Sequence, residues 1–322
     1  MSLKNNRIDW YRTPIDSAVL TTLTKRSDIQ GFIHVFAHLF LLIVTGSFSY
    51  WFYLNDYYLL ALITLFVHGS FYSFLGWAGA GHELVHRTVF KTKDYNDFFL
   101  FLFAFLTWNN YVYFRASHIQ HHKFTVFDEL DGEVKLPQNF SYVSWFWALT
   151  FNFPACYRAV KIVAENSFGL IKGSWGAVLF RGDKVKSKVV NCARMVLLGH
   201  IALAIIFIVS NHSYLLFLVT FAPFISDWLN KIFALAQHFG MRSNTNDFRL
   251  NSRTVLFNPF FSFLYWQMNY HVEHHMYPGV PFFNLKKLRL ELEYDLSVAT
   301  VGIIELLKMI VLIKKNTEKN PV

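Results

Sequence analysis

Two long stretches of this 322-residue chain, Ser27 to His86 and Met195 to Asn230, contain no Lys or Arg. The 30 basic residues are confined to the N-terminal, middle and C-terminal segments. Four apolar runs near 31–54, 57–80, 189–210 and 213–236 each reach the roughly 20 helical residues that cross about 30 Å of hydrocarbon. Leu54-Asn55-Asp56 joins the first pair and Asn211-His212-Ser213 the second, which predicts two helical hairpins. Basic residues are retained on the cytoplasmic side of a membrane. The expected architecture is an all-α, multi-pass integral membrane protein with four transmembrane helices, and both termini are expected to be cytoplasmic.

Composition agrees with a lipid environment. Hydrophobic residues make up 54% of the chain and charged residues 16%, against about 25% charged in soluble domains. The 36 Phe, 16 Tyr and 9 Trp suit the bilayer interface. A net charge of +9 with scattered basic residues and lipid-length apolar runs argues against nucleic acid as a partner. Cys156 and Cys192 are too few for a disulfide framework. The first 25 residues do not read as a cleavable signal peptide. Residues 97–114 are apolar too, but only 31 residues separate His86 from His118. A return trip through the membrane takes about 40, so this stretch is expected to be interfacial or re-entrant. Residues 297–313, with Glu305 and Lys308 one turn apart, are expected to form an amphipathic surface helix. Without repeats or low-complexity linkers, residues 1–322 read as a single domain.

Nine of the fourteen histidines fall in clusters. His82 and His86 form H-x3-H. His118, His121 and His122 form H-x2-H-H, and so do His271, His274 and His275. His238 stands alone at the cytoplasmic end of the fourth run. Residues at i, i+3 and i+4 share a helix face, so each cluster can aim its imidazoles at one point. The topology places all nine at one membrane surface. Nine imidazoles exceed what one ion takes and suit two, and imidazole favours Zn, Cu, Fe and Ni. Asp128, Asp131, Asn269 and Glu273 are candidates to orient the rings through their far nitrogens. His34, His38, His68 and His200 lie within the apolar runs. They could hold a haem, but intramembrane polar residues more often bond to a neighbouring helix.

His82-Glu83-Leu84-Val85-His86 also matches H-E-x-x-H, in which Glu83 would be the general base of a zinc metalloprotease. That reading leaves seven clustered histidines without a role.

In GHELVHR (81–87), RASHIQHHKFT (115–125) and NYHVEHHMYPGVPFFNL (269–285) the sequence resembles the membrane fatty acid desaturase family. The resemblance implies a mushroom-like fold, in which four transmembrane helices carry a cytosolic helical cap that holds a dimetal site. It implies two irons cycling between ferrous and ferric, O2 as co-substrate, and electrons from an external donor, a ferredoxin or a b-type cytochrome with its reductase. The family's three histidine boxes carry over to His82, His86, His118, His121, His122, His271, His274 and His275, and its additional histidine to His238. An acyl-CoA desaturase has an Asn one turn before that histidine, whereas this chain has Ala234. The first box is H-x3-H rather than H-x4-H, and the third begins with His271 rather than Gln. No His-Pro-Gly-Gly haem motif is present. The implied activity is O2-dependent introduction of a double bond into a lipid acyl chain. Hydroxylation of an alkane, acyl chain or carotenoid is the alternative within the same boxes. The runs 57–80 and 213–236 are the expected walls of the substrate tunnel.

Overall fold

The protein is described by a computed structural model covering residues 7–138 and 141–319. Helix α1 (Ser17–Leu23) starts at Asp16, whose carboxylate accepts from the Ala18 and Val19 N–H groups at 2.8 and 3.1 Å. Helix α2 (Asp28–Leu54) is capped by the Ser27 hydroxyl on the Gln30 N–H and carries Asp28 in its first turn. Both features suit the positive end of a helix. Its 27 residues span about 40 Å. Asp56, in left-handed backbone (φ 63°), turns the chain into α3 (Tyr58–Tyr72). A 3-10 turn at Ser73–Leu75 and a break through Gly76–Gly79 lead into the short α4 (Ala80–Val85).

Helices α5 (Lys93–Leu106) and α6 (Tyr111–Phe124) follow, then α7 (Tyr142–Leu149), α8 (Phe153–Ser167), α9 (Ser174–Leu179) and the long α10 (Asp183–Val209). Three stretches are long and apolar enough to cross a membrane: Asp28–Leu54, Tyr58–Val85 and Asp183–Val209. Their outward faces are also apolar. On α2, Ile29, Ile33, Phe36, Phe40 and Ile43 are exposed while Val35, His38, Leu42 and Gly46 are buried against neighbours. On α10, Leu198, Ile201, Ile205 and Val209 are exposed. Such continuous apolar surface is not left to water. The 14 residues of α5 are too short to cross, as expected for residues 97–114.

The fourth expected span, 213–236, is not a single helix. It breaks into a π-helical stretch (Leu216–Thr220), a 3-10 turn (Ala222–Phe224) and α11 (Trp228–Ala236). Pro223 cannot donate to a helical ladder, and Ser226 sits in left-handed backbone (φ 52°). Close packing compensates. A Cβ added to Gly69 of α3 would stand 2.2 Å from the Ile225 carbonyl oxygen, so only glycine lets the two backbones meet. The Ser70 hydroxyl donates to the Ser226 carbonyl at 2.8 Å.

The remaining chain comprises α12 (Phe248–Asn251), α13 (Pro259–Leu264), α14 (His271–Met276), α15 (Phe282–Leu292) and α16 (Gly302–Lys319), the last overlapping the expected surface helix. It packs against α3, α4 and α6 through α13 and α14. Two-residue strands β1 (Val255–Leu256) and β2 (Thr300–Val301) pair in parallel. The largest core cluster runs from α2 through α5 to α15 and includes the fully buried Trp266, whose indole donates to His38 Nδ1 at 3.0 Å.

The histidines in the apolar runs hold helices together. His34 bonds to the Phe263 carbonyl (3.0 Å), His38 to Phe71 (3.2 Å), His68 to Leu218 (2.9 Å) and His200 to Phe105 (2.9 Å). His38 also accepts from Trp266 and His68 also meets Thr45, so neither of these two rings keeps a nitrogen free for a haem iron.

Candidate metal centre

The short helices α4, α6 and α14 present the three histidine clusters to one another, and the chain just after α11 adds His238. The structure gathers all nine rings into two groups. His82, His86, His118, His122 and His274 form one, and His121, His238, His271 and His275 the other. Within each group the potential ligand atoms lie within 4.8 Å of one another. The second group is wholly buried, whereas His86 and His122 of the first are partly exposed.

The contacts between rings carry the chemistry. His82 Nε2 lies 3.1 Å from His274 Nε2, and His118 Nε2 lies 3.1 Å from both His86 Nε2 and His122 Nε2. In the other group, His271 Nε2 is 3.0 Å from the Nε2 atoms of His238 and His275. Several far nitrogens are already engaged. His118 Nδ1 meets Glu133 and His121 Nδ1 meets Asp131, both at 2.7 Å. His238 Nδ1 meets the Asn251 carbonyl at 2.7 Å. When Nδ1 donates its proton to an oxygen, Nε2 keeps a lone pair. Lone pairs converging at about 3 Å repel unless a cation lies among them. The donor set therefore fits metal ions, and imidazole suits iron.

Electrostatics agree. Burial, and then repulsion from neighbouring imidazoles, hold His118, His122, His271, His274 and His275 well below the usual histidine range. The same two causes bring His86 and His238 down to about 3. These rings are neutral at pH 7, the form that ligates. His121 is the exception. Burial opposes its charge, but the Asp131 carboxylate outweighs burial and raises it. Burial pushes the Glu133 carboxyl up to about 7.

The four residues expected to orient imidazoles behave differently. Asp131 does so, binding His121 while also accepting from the Val126 and Glu133 N–H groups at 2.9 Å. Asp128 lies at the surface, hydrogen-bonded to Asn244. Asn269 brackets β1 through both directions of a Val255 backbone pair. Glu273 points away from the rings to Thr254 and to Arg289 (3.0 Å), tying α14 to α15. Glu133 was not among the candidates. It lies 15 residues beyond His118, in a loop folded back by the Asp131 turn, and no spacing rule marks it. Glu83, the general base of the protease reading, is fully buried and faces His274 Nδ1 at 3.4 Å. It lines neither of the two cavities that adjoin the histidine groups.

One acid organises the entrance to the first two boxes. Asp97 of α5 accepts from Arg87, one residue after His86, at 2.8 and 2.9 Å, and from Arg115 of α6 at 2.5 Å. The two helices that carry the boxes thereby share a fixed partner.

Two cavities adjoin here, and the smaller reaches the rings. The larger, about 730 Å³, is walled by α8, the end of α3 and the start of α11, with Arg158, Lys172 and Lys231 among its lining residues. The smaller, about 390 Å³, is lined by His82, His118, His121, Glu133 and Trp175. Trp77, Ala78, Tyr113 and Ala234 border both. The expected tunnel walls, 57–80 and 213–236, both contribute, and α6 and α8 complete the enclosure.

The family model for fatty acid desaturases matches residues 57–301. The chain belongs to the fatty acid desaturase family. A search of curated proteins finds no significant match. The family is one of oxidoreductases with diiron centres, and its matched region contains all nine gathered histidines. The N-terminal segment that packs against the cap lies outside it.

Proposed function

We propose that the protein is an integral membrane diiron oxidoreductase that introduces a double bond into a lipid acyl chain. The observation that carries this reading is the pair of largely buried imidazole groups at the end of a largely apolar cleft. His82, His86, His118, His122 and His274 would hold one iron, and His121, His238, His271 and His275 the other. When bound, the iron pair supplies from O2 and two electrons the oxidising power to break an aliphatic C–H bond. The four-histidine group leaves more coordination positions open than the five-histidine group.

The chain's own residues do the rest. The apolar walls of the larger cavity take up the acyl chain and exclude water. The junction of the two cavities, at Trp77, Ala78, Tyr113 and Ala234, would lead a methylene to His82, His118 and His121. Arg158 and Lys231, with Asp227 and the Lys172–Glu165 ion pair, make a polar end to this cavity where a headgroup would remain. Glu133 and Asp131 fix two of the imidazoles in the ligating tautomer. The stretches Asp28–Leu54, Tyr58–Val85 and Asp183–Val209, together with the broken segment 213–236 acting as the fourth crossing, would put the cap and both termini on the cytoplasmic side. Residues 1–322 act as one catalytic unit. A ferredoxin or b-type cytochrome with its reductase supplies the electrons.

Mass spectrometry of total lipids from a host expressing the protein, against a His118→Ala control, tests the reading. Acyl chains lighter by two hydrogens, absent from the control, are expected. Chains heavier by one oxygen would make the same scaffold a hydroxylase, and an unchanged lipid profile would refute acyl-chain oxidation.

A further inference from the structure

The proposed reaction draws two electrons from outside the protein, and a carrier that blocked the substrate passage would stop turnover. His275 lines neither cavity. Its ring meets Phe248 instead, with centroids 5.4 Å apart and planes at 31°. Phe248 is fully buried and lies flat against Trp10, at 4.2 Å and 12°. Trp10 is partly exposed. A single buried phenyl ring therefore separates an imidazole of the four-histidine group from an indole at the protein surface. Inside the site the stack continues, because His275 lies nearly parallel to His122 of the other group at 4.4 Å and 25°.

Backbone pairing sets this arrangement. The Tyr11 N–H donates to the Asn246 carbonyl at 2.9 Å, and the Asn246 side-chain Nδ2 donates to the Asp9 carbonyl at 2.8 Å. That pairing lays residues 9–11 along 246–248 and seats Trp10 over Phe248. The indole N–H donates to the Lys123 carbonyl at 3.0 Å, one residue beyond His122, and the ring stands edge-on to Phe127 at 5.7 Å. Both ends of the stack are thus fixed to the histidine boxes themselves. Trp10 lies outside the family-matched residues 57–301, so this device belongs to the present chain's own terminal segment.

We infer that Trp10, Phe248 and His275 form the electron-entry route, and that a one-electron protein carrier docks over Trp10. The inference rests on the proposed diiron function. In each encounter the carrier is oxidised by one electron and one ferric ion becomes ferrous. Two encounters supply one turnover, and no proton moves in the transfer. A partly exposed Trp is the kind of anchor on which protein contacts are built, and its π system lies directly on the next ring.

The test uses oxidised, iron-loaded, full-length protein without O2 or lipid substrate, so turnover is not the readout. A ruthenium–bipyridine photoreductant is attached at Lys123→Cys in a Cys156→Ser background, and the loss of ferric absorbance after a flash is followed. Trp10→Phe and Trp10→Leu both remove the indole–Lys123 hydrogen bond, so their difference isolates the ring. Trp10→Phe should retain the parent rate within about a factor of two. Trp10→Leu should slow about tenfold, equivalent to ~1.4 kcal/mol of barrier, at unchanged iron content. Prereduced soluble b-type cytochrome, mixed with unlabelled protein, should show the same order of rates. Equal rates for all three would overturn the route and direct attention to the partly exposed His86–His122 edge. A chain that is reduced through Trp10 but leaves lipids unchanged would refute the lipid reaction and keep the route. Normal lipid product with Trp10-independent reduction would do the reverse.

Discussion

The five-histidine and four-histidine groups share α6 and α14 but differ in what surrounds them. The first takes His82 and His86 from α4, has two partly exposed members, and contributes His82 and His118 to the cavity wall. The second takes His238 from the chain after α11, is buried throughout, and contributes only His121 to that wall. Their carboxylate supports differ as well. Glu133 is 20% exposed at its side chain, whereas Asp131 is completely enclosed. The comparison separates two tasks. The more open, ligand-rich group lines the smaller cavity with two rings, and the closed, ligand-poor group meets the aromatic stack that leads to Trp10.

The sharpest way to break this comparison is to delete one ligand from each group. His118→Ala should abolish turnover and lower bound iron from about two ions per chain to about one, measured by elemental analysis. His238→Ala should do the same from the other group. If either variant kept both ions, the grouping would be wrong. Next in size is the passage. Ala234→Phe, at the junction of the two cavities, should cut lipid product more than about tenfold and leave iron content unchanged.

The supporting carboxylates come third. Replacing an oxygen partner of a metal-binding histidine costs about 10–100-fold in metal affinity. Asp131→Asn should lie near the upper end and Glu133→Gln near the lower, because only Glu133 can exchange its lost partner for water. Competitive chelator titration measures both.

Acidification gives a smaller effect with a definite sign. In the metal-free protein, His86 and His238 have folded values of about 3, below their unfolded value of 6.5. The unfolded chain then binds more protons between those limits, so stability falls as pH drops from about 6.5 toward 3. His121 is raised by Asp131 and runs the other way, its contribution being lost as pH rises through its folded value. It offsets the larger set only in part. The metal-free Tm should drop between pH 7 and pH 5, and a flat profile would contradict neutral burial of the rings. The smallest change is expected at the exposed Glu305–Lys308 pair. Lys308→Ala should cost less than about 0.5 kcal/mol in chemical denaturation.

Much of this was legible in the sequence for a physical reason. Imidazoles that must converge are placed at helical spacing, so H-x2-H-H and H-x3-H announce shared faces before any fold is known. The uninterrupted apolar runs likewise marked α2 to within three residues of its bounds and α10 to within six, the polar first turns of α10 lying before the run. The fourth run misled because hydropathy does not register hydrogen bonding. Pro223 lies in its middle, and Asp227 and Asn230 lie near its end. Those residues carried the warning that a straight helix could not continue. Glu133 was not legible, because its contact with His118 depends on a loop that Asp131 folds. Glu273 misled for the opposite reason. It sits inside the third box, but on the helix face that meets Arg289. Trp10 stood in a polar, charged terminal segment, where nothing in the sequence indicated pairing with residues more than two hundred positions away.

The most direct test of the central claim is the metal content of purified, full-length protein. Elemental analysis should find about two irons per chain, with Mössbauer spectra showing two inequivalent sites for the five- and four-histidine groups. A single zinc per chain, or two irons in one indistinguishable environment, would contradict the account.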